Sequence, residues 1–99
     1  MNQRRARLAL FSAIEGGQVF WSNEILAYGP EHVCQKLLNG GYDPIKYGRT
    51  IAKLKSAAPM EIEESIVGVG AQFLTPESEN WPESLNELAA PPIGLVVKG

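Results

Sequence analysis

His32 and Cys34 are the chain's single histidine and single cysteine. A nucleophilic Cys/His pair needs the two side chains facing each other and a third group to orient the base. Positions two apart on a helix do not face each other, and a zinc site needs a tight tetrahedral ligand set. Cys34 is therefore expected as a small core residue and His32 as a surface one. The glutamates also fall short of a catalytic arrangement. Glu61, Glu63 and Glu64 crowd one helix start, and Glu77, Glu79, Glu83 and Glu87 follow in a polar stretch. Catalytic carboxylates need an apolar pocket or mutual proximity to shift them, whereas acids at a helix start simply complement its dipole. Neither GxxxxGK[ST] nor GxGxxG occurs. Ile66-Val67-Gly68-Val69-Gly70 is similar to a phosphate-binding helical hairpin, but the basic helix that should follow is replaced by Phe73-Leu74. A helix C-cap is the better reading. No constellation implies a cofactor or a metal, and none supports an enzyme.

What remains is charge. Lys46, Arg49 and Lys53 recur at i, i+3 and i+7, a basic stripe on one helix face. Arg4, Arg5 and Arg7 lie in the first turns of another helix, where the dipole disfavours cations. Both groups are candidate nucleic-acid contacts. Three cations would neutralise about three phosphates, giving a salt slope of about −2 on single strands and weak binding. No exposed aromatic is evidently interleaved with the stripe as a stacking platform. The charge is unevenly spread: residues 1–59 hold eight Lys or Arg and four acids, residues 60–99 one lysine and seven glutamates, for a net −2. A basic half points toward an acidic partner or nucleic acid.

The elements that must position these groups are short. Residues 3–15 suit a helix with Leu10, Phe11 and Ile14 on one side, stopped by Gly16-Gly17. Ser22 is a candidate N-cap for a second helix through Tyr28, with Trp21 and Leu26 placed as a hydrophobic staple. Gly29-Pro30 starts a third helix with Val33, Cys34, Leu37 and Leu38 as its apolar face, ended by Gly40-Gly41. Asp43-Pro44 opens a fourth, with Tyr47, Ile51, Leu54 and Ala58 as its buried stripe. Pro59 begins a fifth, with Ile62, Ile66 and Val69 inward and Gly70 as its cap.

After Gly70 the pattern changes. Ala71–Thr75 and Ile93–Val97 are nearly continuous apolar runs, as in strands buried on both faces of a parallel sheet. Between them Pro82 suits a first helical turn, Leu85 and Leu88 make a narrow stripe, and Pro91-Pro92 breaks it. The fold class is thus mostly α with a small α/β tail. Residues 1–70 form a bundle of about five short helices, and residues 71–99 one right-handed βαβ unit. Two strands need neighbours and cover, so the chain is expected to be a fragment of a larger α/β domain that continues past Gly99. Its uncovered last strand is expected to pair with a homo-oligomer partner or with that missing core.

These pieces together resemble the DNA-processing protein A family (DprA/Smf). The matching residues are Phe73-Leu74-Thr75, Trp81-Pro82, Leu85, Pro91-Pro92, Leu95-Val96-Val97 and Lys98-Gly99. In the helical part the match is one of layout: an Arg-rich start, Tyr28-Gly29-Pro30 and Gly40-Gly41. Trp81 stands where the family more often has Tyr, and Gly94 where a larger apolar residue is usual. The resemblance implies a SAM-like, helix-hairpin-helix-like domain followed by the start of a Rossmann-like domain. It implies a parent protein that binds single-stranded DNA and loads recombinase during natural transformation, with residues 1–99 as a non-enzymatic accessory module. The alternative is an autonomous, weak nucleic-acid-binding domain using the basic face of the fourth helix. One cysteine agrees with a reducing cytoplasm. No apolar run reaches transmembrane length, and Leu8–Phe11 is too short for a signal-peptide core.

Overall fold

The structure, a computed structural model, describes residues 2–14 and 18–98. Gly16, Gly17 and Gly99, to which the sequence assigns a stop and a motif position, lie outside the described residues. Five α-helices run as α1 (Gln3–Ala13), α2 (Val19–Tyr28), α3 (Pro30–Leu38), α4 (Gly48–Ser56) and α5 (Pro59–Gly68). Strands β1 (Ala71–Leu74) and β2 (Leu95–Lys98) follow, separated by a 3-10 turn at Glu83–Glu87. The protein is therefore mostly helical with a small two-stranded sheet.

α1 is the axis of the fold, packing against α3, α4 and α5. Asn2 caps it, its side-chain oxygen accepting from the Arg5 N–H at 2.8 Å. Ala6, Ala9 and Ala13 repeat at i, i+3 and i+7 and are buried with Leu10 against Val33, Cys34, Leu37 and Leu54. Small side chains on that stripe let neighbouring helices approach closely. Leu8 points to the other side, into a second cluster with Ile66, Ala71 and Phe73. A helix buried on two sides explains why Ala6 through Leu10 are all inaccessible. Phe11, expected inward, is partly exposed and meets the Phe73 ring edge-on at 5.3 Å.

The breaks at proline and glycine fall where local sterics require. Pro30 and Pro59 occupy first-turn positions, and Gly40 and Gly70 adopt φ of 79° and 76°. Three boundaries differ from the sequence expectation. α2 begins at Val19, so Ser22 and Trp21 lie inside it, and Ser22 turns its hydroxyl to the Pro91 carbonyl at 3.0 Å. α4 begins at Gly48, because the Asp43 carboxylate accepts from the Ile45 and Lys46 N–H groups and holds 43–47 as a separate turn. α5 ends at Gly68, which leaves Val69 exposed.

The C-terminal unit requires the main correction. β1 and β2 are antiparallel, with Ala71 opposite Lys98 and Leu74 opposite Leu95, so the unit is not a parallel βαβ crossover. A parallel return needs a crossover that carries the chain back along the sheet, usually on a full helix. Here the connection forms only the five-residue 3-10 turn and Leu88 stays exposed, so the connection itself brings no apolar helix face onto the strands; β1 is covered by Leu8 of α1 and Ile66 of α5 instead. β2 is also not buried on both faces: Leu95 is half-buried and Val96 and Val97 are exposed. Ile93 and Gly94, just before it, carry the burial instead.

Candidate nucleic-acid interface

Two of the three N-terminal arginines are used internally. Arg4 donates through Nε and Nη2 to Glu63 on α5 and through Nη1 to the Phe73 carbonyl at 3.0 Å. Arg7 is buried; its Nη1 donates to the Ile93 carbonyl at 2.9 Å, and its Nε lies 3.2 Å from Glu77. The cations at the start of α1 reach off the helix to the carbonyls of Phe73 in β1 and Ile93 just before β2; Arg7 is thereby engaged inside the fold, whereas Arg4 stays half-exposed beside Glu63. Arg5 is exposed, with its guanidinium 3.6 Å from the Met60 sulfur.

Most of the residues that carry the resemblance lie in and after the connection between the strands. Trp81 is buried and its indole N–H donates to Asn86 at 3.2 Å. Pro82 leads into the 3-10 turn, and Leu85 is half-buried there. Pro91 receives the Ser22 hydroxyl, and Pro91 and Pro92 wall a cleft of about 580 Å³ against Phe11 and Trp21. Gly94 has a steric reason: a Cβ there would sit 2.2 Å from the Phe73 ring.

Lys46, Arg49 and Lys53 are all exposed, and among the described residues none makes an ion pair. They do not form one continuous stripe, since Lys46 lies in the turn before α4 and Lys53 sits at the rim of the cleft. A half-buried aromatic stands beside Lys46, whose Nζ is 5.4 Å from the Tyr47 ring centroid. Tyr47 in turn stacks on Phe20 at 5.6 Å with the planes 6° apart. Trp21 and Tyr42 meet these rings edge-on, at centroid distances from 4.9 to 6.3 Å. Lys36 extends the row, its Nζ lying 4.6 Å from Tyr42 and 5.6 Å from Tyr28. Tyr28 packs against His32 at 5.3 Å.

Phe20, Tyr28, Lys36 and Tyr42 were not singled out as site residues from the sequence. The available signal is the density of aromatics between positions 20 and 47. Burial, reinforced by the Glu24 carboxylate at 2.8 Å from its hydroxyl, holds the Tyr42 phenol well above its ordinary range, so it stays protonated.

Cys34 is a core residue as expected. Burial first, then Glu31, raises its thiol to about 11, which keeps it protonated and unreactive. Among the described residues no group of His, Cys, Asp and Glu could hold a metal. No described helix is long and apolar enough to cross a membrane. Set against family models, curated proteins and solved structures, the chain has no match in any of the three.

Proposed function

We propose that this chain is a non-enzymatic interaction module of a cytoplasmic DNA-handling protein of the DNA-processing protein A type. In that reading the whole protein binds single-stranded DNA and loads recombinase during natural transformation. The observation that carries the module reading is the seam. Arg4 and Arg7 tie α1 to the carbonyls of Phe73 and Ile93, and Ser22 ties α2 to Pro91. A bundle held this way presents its surfaces in a fixed orientation to whatever the strands join. Pro91, one of the residues that carry the family resemblance, lies in this seam, which supports assigning the chain to that kind of parent. The exposed edge residues Val96 and Val97 offer a pairing surface to a following core or to a second copy. The test is genetic: inactivate the gene in its own organism and measure transformation with linear marker DNA. The expected result is a loss of at least tenfold in transformants. An unchanged frequency refutes the assignment.

A second reading draws on the exposed cations of α4. Arg49 and Lys53, with Lys46 ahead of the helix, form the basis of a weak autonomous contact to nucleic acid. It predicts salt-sensitive oligonucleotide binding that disappears in Lys46→Ala/Arg49→Ala/Lys53→Ala.

A further inference from the structure

We propose a separate site: the face made by α2 and α3 binds single-stranded nucleic acid by base stacking, with Phe20 and Tyr28 as stacking rings and Lys36 and Lys46 as phosphate contacts. Phe20 is 44% and Tyr28 55% exposed, so both rings reach the surface. They lie eight residues apart on α2, about 12 Å along its axis. At a per-strand spacing of about 3.4 Å that distance holds three or four nucleotides, near the lower end of the sites seen on stacking platforms.

Each ring is backed rather than loose. Phe20 stacks on Tyr47, and Tyr28 packs on His32. Rings fixed in this way lose little freedom when a base lies against their exposed surface. The cations are arranged between them. Lys36 bridges Tyr42 and Tyr28, and Lys46 rests over Tyr47, each holding its ammonium over an aromatic ring at the partly open surface. Neither lysine has a carboxylate partner among the described residues.

Alternating rings and cations match the repeating base and phosphate of a single strand, and a duplex would hide the base faces the rings require. The acids on this side are Glu24, Glu31 and Asp43. Glu24 accepts from the Tyr42 hydroxyl and Asp43 from the backbone of its own turn, so neither is directed at the lysines. Their charge still opposes phosphate, which makes the contact weak and salt-sensitive. The site depends on neither the family resemblance nor Arg49 and Lys53.

The test is an anisotropy titration of the chain with a labelled short oligothymidine and with a duplex of equal length, at low and at near-physiological salt. The single strand is expected to bind about tenfold more tightly than the duplex. Tyr28→Ala is expected to weaken it about tenfold and Tyr28→Phe to leave it unchanged. Phe20→Leu, which keeps an apolar contact to Trp21 and Tyr42, should weaken it similarly. Lys36→Ala should make the salt slope shallower by roughly one phosphate's share, about 0.7. Tyr28 is not part of the core, so its variants remain informative even if Phe20→Leu loses stability. The proposal is overturned by no binding at low salt, by equal affinity for the duplex, or by wild-type affinity in Tyr28→Ala. Binding lost in Arg49→Ala/Lys53→Ala but intact in the ring variants would overturn it too, leaving the α4 reading in place.

Discussion

Replacing Arg7 with alanine tests the seam directly. Its side chain is 9% exposed, whereas its partner Glu77 is 45% exposed. The two contacts therefore differ in weight. An ion pair to a half-exposed carboxylate contributes less than about 1 kcal/mol. A charge-assisted hydrogen bond to a buried carbonyl contributes about 1.5–3 kcal/mol, and its removal leaves the Ile93 oxygen without a partner. Loss of the packed side-chain stem adds to this. Arg7→Ala should therefore destabilise the fold by about 2–3 kcal/mol, which lowers the melting temperature of a domain this size by roughly 10–20 °C. Glu77→Gln should cost a small fraction of that, and Arg5→Ala should stay within about 0.5 kcal/mol as an ordinary surface change. Urea and thermal melts give the magnitude. Amide hydrogen exchange gives the location: protection should fall first across Leu95–Lys98, ahead of Val33 and Leu37 in α3. If Arg7→Ala melts like Glu77→Gln, or if α3 loses protection together with β2, the seam does not hold the strands to the bundle as argued.

Two other outcomes follow from single positions. Gly94→Ala places a methyl 2.2 Å from the Phe73 Cζ and 3.1 Å from the Leu74 carbonyl, so it should cost about 1–3 kcal/mol in a urea melt; a neutral result would mean that Phe73 has room to move. Cys34 supplies a pH dependence. Its thiol ionises at about 11 in the folded chain against an ordinary 9.0, so folding favours the protonated form. That stabilisation is complete below pH 9 and is lost as pH rises towards 11, by about 2–3 kcal/mol in total. Tyr42 shifts in the same sense, so the measurement is a difference. Cys34→Ala should show a flatter alkaline decline than the parent, and equal slopes would refute the assignment.

The helical punctuation was readable in the chain itself. Pro30 and Pro59 can begin a helix but not continue one, and Gly40 supplies the positive φ that ends another. These are properties of one residue and its neighbours. The inward positions of Leu10, Val33, Leu37, Leu54 and Ile66 follow from helical period for the same local reason. The strand pair shows the limit. Apolar runs at Ala71–Thr75 and Ile93–Val97 suggest a parallel pair but do not by themselves exclude an antiparallel one. The choice depended on whether residues 75–94 would form a covering helix or, as found, a loop with one 3-10 turn.

The site divides in the same way. Composition and spacing identified Arg4, Arg7, Lys46, Arg49 and Lys53 as cations. Which of them face water was decided by partners up to 86 positions distant, such as the Ile93 carbonyl that takes Arg7. The row from Phe20 through Tyr42 to Tyr28 has no sequence period, because α2, α3 and the 43–47 turn each contribute to it. Local conformational preference is written into each short segment. Which faces meet, and therefore which charges are consumed and which rings stay open, is decided only when those segments pack.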